Sequence, residues 1–229
     1  MDALSYSDHR AYGQVYELLL TEFGPQDWWP AETPFEMMVG AILTQNTAWN
    51  QVEQSIFNLQ SSGRFSAPGL LEMPDEELAS HVRPSGFLWV KSHRLKALLK
   101  FWMETYGGKV SSTRDRSTPI LREELLSVRG VGPETADCIL VYALGRPSFV
   151  VDKYTRRLFA RLGLIEGKVS YSEIQERFTS ALTEDVLIYN EYHALIVALG
   201  KRNCRSTPLC QSCPLSFLCP VGIHLIQSE

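Results

Sequence analysis

Apolar residues recur at helical spacing through almost the whole chain, and no stretch alternates convincingly like a strand. The pattern therefore predicts an all-α protein. Tyr12, Val15, Tyr16, Leu18, Leu19 and Phe23 mark an amphipathic helix that Gly24-Pro25 ends. Pro34 to Leu43 reads as a helix rich in Phe, Met, Val and Ile. It runs into Thr44-Gln45-Asn46-Thr47, four polar residues that read as a turn with a new helix start. The following helix uses Val52, Ile56 and Leu59 and closes at Ser61-Ser62-Gly63. Met73 to Val82 reads as a short helix, Arg83-Pro84-Ser85-Gly86-Phe87 as a tight turn, and Trp89 to Tyr106 as a long helix stopped by Gly107-Gly108. Near the end, Ser170 to Leu182 and Tyr189 to Leu199 give two further helices.

The stretch from Thr118 to Arg161 carries the most local information. Thr118-Pro119 reads as an N-cap hydroxyl followed by proline, with apolar residues at helical spacing from Ile120 to Leu126. Val128-Arg129-Gly130-Val131-Gly132-Pro133 then breaks the helix. A second helix is expected from Pro133 to a stop at Gly145, with Ala136, Ile139, Leu140, Ala143 and Leu144 on one face. In such a helix, glycine hairpin and helix, the glycines let the bare N–H groups around Gly130, Val131 and Gly132 approach a ligand. The second helix start adds a partial positive charge, which suits phosphate. An ordinary helix–helix turn closed by glycine has the same local pattern. Farther on, Asp152 is placed to N-cap a helix starting at Lys153, a role worth about 1 kcal/mol.

The balance of 45% hydrophobic and 21% charged residues in 229 is that of a soluble globular chain of one large or two small domains. No apolar run reaches the roughly 18 to 20 residues that span a bilayer, and Met1-Asp2-Ala3 lacks the character of a signal peptide, so no membrane partner and a cytoplasmic location are expected. The net charge of −4 does not announce a nucleic-acid binder, but its distribution is uneven. Arg146, Lys153, Arg156, Arg157 and Arg161 are opposed only by Asp152 in their window, which allows a basic face or simply a solvated one.

Two further features carry chemistry. Trp28-Trp29-Pro30 puts adjacent indoles in a proline-bounded loop, where they cannot both belong to one core stripe; a ligand platform and a plug between domains are both open. Cys204-x5-Cys210-x2-Cys213-x5-Cys219 offers four thiolates in a compact loop, enough for zinc or a [4Fe–4S] cluster. A zinc ribbon has two Cys-x2-Cys knuckles and this loop has one, which favours iron and sulfur. Cys138, mid-helix, is expected to be a small buried hydrophobe.

Val128 to Asp137, preceded by Leu43-Thr44-Gln45 and followed by Val151-Asp152 and the cysteine loop, resembles the helix-hairpin-helix DNA glycosylase superfamily that includes endonuclease III. Trp28-Trp29-Pro30, Leu43 to Thr47, Val82 to Phe87 and Val150 to Tyr154 look like its 3-methyladenine DNA glycosylase III-type branch. The resemblance implies two all-α domains, a central one over residues 32–147 and one formed by 1–31 and 148–229 with the cysteine loop. It implies that Asp152 stabilises the oxocarbenium-like sugar or activates water, and that Gln45 fills the gap left by an extruded nucleotide. Lys153 joins the hairpin among the DNA contacts. Trp28, Trp29, Pro30, Trp49 and Glu134 are implied to line a base pocket. Strand-cleaving members carry a lysine where this chain has Glu134, so the expected enzyme is a monofunctional glycosylase for alkylated purines, without efficient AP-lyase activity. The expected partner is double-stranded DNA containing a damaged base, bound by a monomer in a prokaryotic, nucleoid-associated setting. The alternatives are a glycosylase for oxidised pyrimidines, uracil or mismatched bases, and a non-catalytic iron–sulfur DNA-binding protein.

Overall fold

A computed structural model describes residues 9–28 and 31–228. Among them the secondary structure is helical throughout: α1 (His9–Phe23), α2 (Pro34–Leu43), α3 (Trp49–Ser61), α4 (Ala67–Glu72), α5 (Asp75–His81), α6 (Leu88–Tyr106), α7 (Thr118–Ser127), α8 (Pro133–Cys138), α9 (Lys153–Arg161), α10 (Tyr171–Ala181), α11 (Val186–Arg202) and α12 (Pro220–Gln227). None of these helices is long and apolar enough to cross a membrane. The chain divides into two compact units, Trp29–Arg146 and the combination of Met1–Trp28 with Pro147–Glu229.

In the unit Trp29–Arg146, α2 is the centre. Eight of its ten residues are buried, all but Glu36 apolar, and it packs against α3, α6, α8 and the segment after α8. Thr33 caps it by accepting from the Glu36 amide at 3.1 Å, with Pro34 in the first turn. A fully buried lysine fastens the polar turn that follows. Lys91 Nζ donates to Leu43 O at 2.6 Å, Ser85 O at 2.6 Å and Thr47 Oγ1 at 2.5 Å. Burial, reinforced by the Arg94 charge, pushes its pKa down to about 8.

The unit that joins both chain ends is organised around aromatic rings. Tyr12 stacks on Phe159 at 5.1 Å, Phe149 stacks on Phe178 at 3.9 Å, and Tyr192 donates its hydroxyl to Tyr12 O at 2.7 Å. Through these contacts α1 packs on α10 and α11, and α11 packs on α9.

Several elements differ from the pattern. The helix expected over Pro133 to Gly145 is α-helical only to Cys138; Ile139–Ala143 is a π-helix whose five residues are all buried. Apolar periodicity cannot separate the two forms, because burial on every side satisfies either. The N-cap of α7 is Ser117, making no side-chain bond, and Thr118 is the first helical residue. Two short helices, α4 and α12, carry too few turns to show a period. The arginines of the charge-uneven window are tethered to main chain, which fixes their direction and leaves their charge in place: Arg156 donates to Val169 O, Arg157 to Cys204 O, Arg161 to Arg205 O and Ser206 O, and Arg146 to Thr113 O. Lys153 remains exposed, over the Tyr154 ring at 5.3 Å.

Candidate active site

Asp152 follows the buried residues Phe149, Val150 and Val151, and the Val151 amide donates to Tyr171 Oη at 3.2 Å. The carboxylate caps α9: Oδ1 accepts from the Thr155 amide at 2.8 Å and from Thr155 Oγ1 at 3.0 Å. On its other side, His193 Nε2 from α11 lies 3.7 Å from Oδ2. Asp152 is only 9% exposed. Burial by itself pushes the carboxyl pKa up, but the imidazole and the Thr155 donors together hold it below the ordinary carboxylate value. The side chain is thus a rigid, ionised carboxylate at a positive helix end. His193 carries no sequence motif, and its one signal is an imidazole on a helix otherwise buried through Tyr192, Leu195, Ile196 and Leu199. On the same unit, Trp28 sets its ring 5.8 Å from His193 at 48°.

The far end of α9 reaches the cysteine loop. Cys204, Cys210, Cys213 and Cys219 line one cavity of about 20 Å3, together with Leu158 and Arg161. Arg161 Nη1 donates to Cys204 Sγ at 3.3 Å, and the Cys219 thiol donates to Arg161 O at 3.3 Å. Burial pushes the Cys213 thiol up to about 11, and Cys204, Cys219 and Cys210 add to the rise. Four sulfurs around one small cavity fit a bound positive group, which would favour thiolates there. Among the described residues, no three Cys, His, Asp or Glu side chains are grouped as a ready single-ion site. Cys138, part-exposed rather than fully buried, lies apart in α8.

The hairpin belongs to the other unit. Gly130 has φ +90°, and a Cβ there would lie 2.3 Å from Arg94 Cγ, so only glycine fits both the turn and the arginine crossing it. Gly132 is different: its φ is −97° and nothing lies within 4 Å of the Cβ position, leaving the turn open on that side. Gln45 braces the hairpin. Its amide donates to Gly130 O and Thr135 Oγ1, both at 3.0 Å, while Arg94 Nη1 donates to Gln45 Oε1 at 2.6 Å. The neighbouring Asn46 is exposed in the left-handed region at φ 53°.

Of the expected base-pocket residues, Trp49 starts α3, lies 3.6 Å from the Gly40 Cβ position and donates Nε1–H to Glu53 at 2.9 Å. Glu134 is exposed in the first turn of α8. Trp29 and Pro30 lie outside the described residues. Asp152, Lys153 and Trp28 belong to one unit; Gln45, Trp49, the hairpin and Glu134 belong to the other.

A helical scaffold with a glycine hairpin and a buried, capping aspartate defines a recognisable class. Residues 39–184 match the HhH-GPD superfamily of base excision DNA repair proteins, and the chain belongs to that superfamily. It is 49% identical to the putative DNA repair glycosylase MJ1434 of Methanocaldococcus jannaschii over 207 residues, 90% of this chain and 94% of that protein. It is 28% identical to endonuclease III of Bacillus subtilis, covering 82% of each. Among solved structures, an endonuclease III–DNA complex superposes with a TM-score of 0.82 at 23% identity, covering 96% of this chain and 99% of that one. The Helicobacter pylori 3-methyladenine DNA glycosylase MagIII, bound to 1,N6-ethenoadenine, superposes with a TM-score of 0.72 at 29% identity, covering 87% and 98%. The chain is thus an all-α, endonuclease III-like DNA glycosylase of the base-excision type, a hydrolase of N-glycosidic bonds.

Proposed function

We propose that this glycosylase releases alkylated purines of the 3-methyladenine type from duplex DNA and leaves an abasic site intact. The observation that carries the reading is Asp152, a buried carboxylate kept ionised at the N-cap of α9. A 3-methylated adenine is cationic and already a good leaving group, so little acid catalysis is needed. What remains is to stabilise positive charge on the sugar as the bond breaks, and a preorganised carboxylate does that. It can also orient water for attack on C1′. Selection of an electron-poor base suits Trp28, Trp29 and Trp49, since an indole face attracts such a ring by roughly 0.5 to 2 kcal/mol. Pro30 and Glu134 are the other residues that the resemblance assigns to the base. The MagIII structure holds an alkylated adenine-type base, which supports the same class here.

Gly130, Val131 and Gly132 would hold the phosphate backbone, with Lys153 as a second DNA contact. Gln45 serves this reading first as the brace of the hairpin, because its amide already has three partners. Glu134 stands where strand-cleaving members carry their amine, and a carboxylate cannot form an imine. Cys204, Cys210, Cys213 and Cys219 would hold a [4Fe–4S] cluster, which would supply a structural tie between the loop and α9. The protein would act as a monomer.

The test is release of labelled bases from methylated duplex DNA by the wild type and by Asp152→Asn, beside thymine glycol and uracil substrates. Free 3-methyladenine from the wild type alone is the expected result. Activity on thymine glycol without activity on 3-methyladenine overturns the substrate reading, and a strong borohydride-trapped adduct on abasic DNA overturns the monofunctional one. Iron and sulfide in the purified protein are expected; stoichiometric zinc would replace the cluster.

A further inference from the structure

We propose that His193 is a positioning residue for base release, acting through Asp152; this rests on the reading of Asp152 as the group that stabilises the sugar cation. The two oxygens of Asp152 are held differently. Oδ1 is committed to α9 by the Thr155 amide and hydroxyl, at 2.8 and 3.0 Å. Oδ2 is the oxygen left for the reaction, and His193 Nε2 stands 3.7 Å from it.

That distance has a chemical meaning. At 3.7 Å the His193 ring stands just outside hydrogen-bond distance, so an Nε2–H dipole aimed at Oδ2 steadies its negative charge electrostatically while leaving the lone pairs open. A lysine or arginine in its place would form a charged, close pair and compete with the sugar cation for the carboxylate. An apolar residue would leave a buried charge supported from one side only. His193 is itself 4% exposed, and its ring lies against Trp28, so its position is fixed by packing on one side and by the carboxylate on the other. Trp28 is also the described member of the tryptophan pair expected to meet the flipped base. The same imidazole therefore ties the aromatic loop to the carboxylate, and both lie in one unit of the chain.

Three variants and one spectroscopic measurement test this. In single-turnover release of 3-methyladenine, His193→Leu should slow the chemical step at least about tenfold while duplex affinity stays within about threefold. His193→Gln, which keeps an N–H donor, should recover most of the rate. A role in packing alone predicts the reverse, since leucine fills an apolar site better than glutamine. If His193→Leu does not fold by circular dichroism, His193→Phe takes its place with the same expectation. In the unsubstituted imidazole, the nitrogen-15 resonance of Nε2 should shift when Asp152→Asn removes the carboxylate charge. A Leu or Phe variant as fast as wild type, a Gln variant as slow as Leu, or an Nε2 resonance blind to Asp152→Asn each overturns the proposal. Those failures occur with active wild-type enzyme; absence of base release by the wild type on every lesion would instead overturn the reading of Asp152.

Discussion

The hairpin and the start of α9 lie close together in sequence and solve opposite problems. At the hairpin, the polar side chains serve the fold: Gln45, Arg94 and Thr135 bond to one another or to backbone, and what is left facing outward at Gly132 is bare main chain. At α9, the backbone serves the side chain: an amide, a hydroxyl and a neighbouring imidazole hold one carboxylate in a buried, charged state. A surface that must accept any sequence of DNA needs geometry and few base contacts. A group that must act on one bond needs a fixed charge. On the function proposed above, that difference assigns the DNA backbone to the hairpin and the glycosidic bond to Asp152.

The comparison can be broken most forcefully at Asp152. Asparagine is a competent cap, so Asp152→Asn should keep the fold while base release falls on the order of 10²- to 10⁴-fold. An active, folded Asn variant would reduce α9 to a structural feature like the hairpin. The same carboxyl has a folded pKa below its ordinary value near about 3.9. Its stabilising contribution is therefore present above that ordinary value and disappears as pH falls through the lower folded one. Wild type and Asp152→Asn should accordingly converge in urea melts at strongly acidic pH.

Next in size is Lys91→Met. Removing the ammonium strips Leu43 O and Ser85 O of a buried donor, and a loss of about 2 to 4 kcal/mol is expected in chemical denaturation. The wild type adds a pH signature. A lysine pushed down to about 8 in the folded protein is penalised while charged, and that penalty is relieved as pH rises from there toward the free value of about 10.4. Stability should rise across this window relative to the Met variant; parallel curves would show that burial does not penalise the charge.

The two hairpin glycines give the smaller and sharper contrast. Gly130→Ala meets both a positive φ and the Arg94 side chain, and should cost about 1 to 3 kcal/mol of stability. Gly132→Ala faces open space at an ordinary φ, so its melting should match wild type within about 0.5 kcal/mol. Its effect should appear only as weaker duplex binding by fluorescence anisotropy. Equal stability losses at both positions would mean that the hairpin is simply a turn.

The sequence by itself determined the helices long enough to show a period, the glycine break between α7 and α8, the capping aspartate at α9 and the gathering of four cysteines in one loop. Each is a local property: helical faces, caps and turns are set by residues a few positions apart. It also carried enough motif to place the chain among helix-hairpin-helix glycosylases, a placement the family match bears out. Other things were decided only by the tertiary structure. His193 met Asp152 because α11 packs on α9. Gln45, which the resemblance casts as the residue filling the gap left by an extruded nucleotide, is held in this structure by Arg94, Gly130 and Thr135. Arg156, Arg157 and Arg161 donate to carbonyls of their own unit, and Lys91 lies inside. The physical reason is common to all four. A long polar side chain takes the nearest partner that folding provides, and helical periodicity fixes which way it leaves its helix without fixing what waits on the other side.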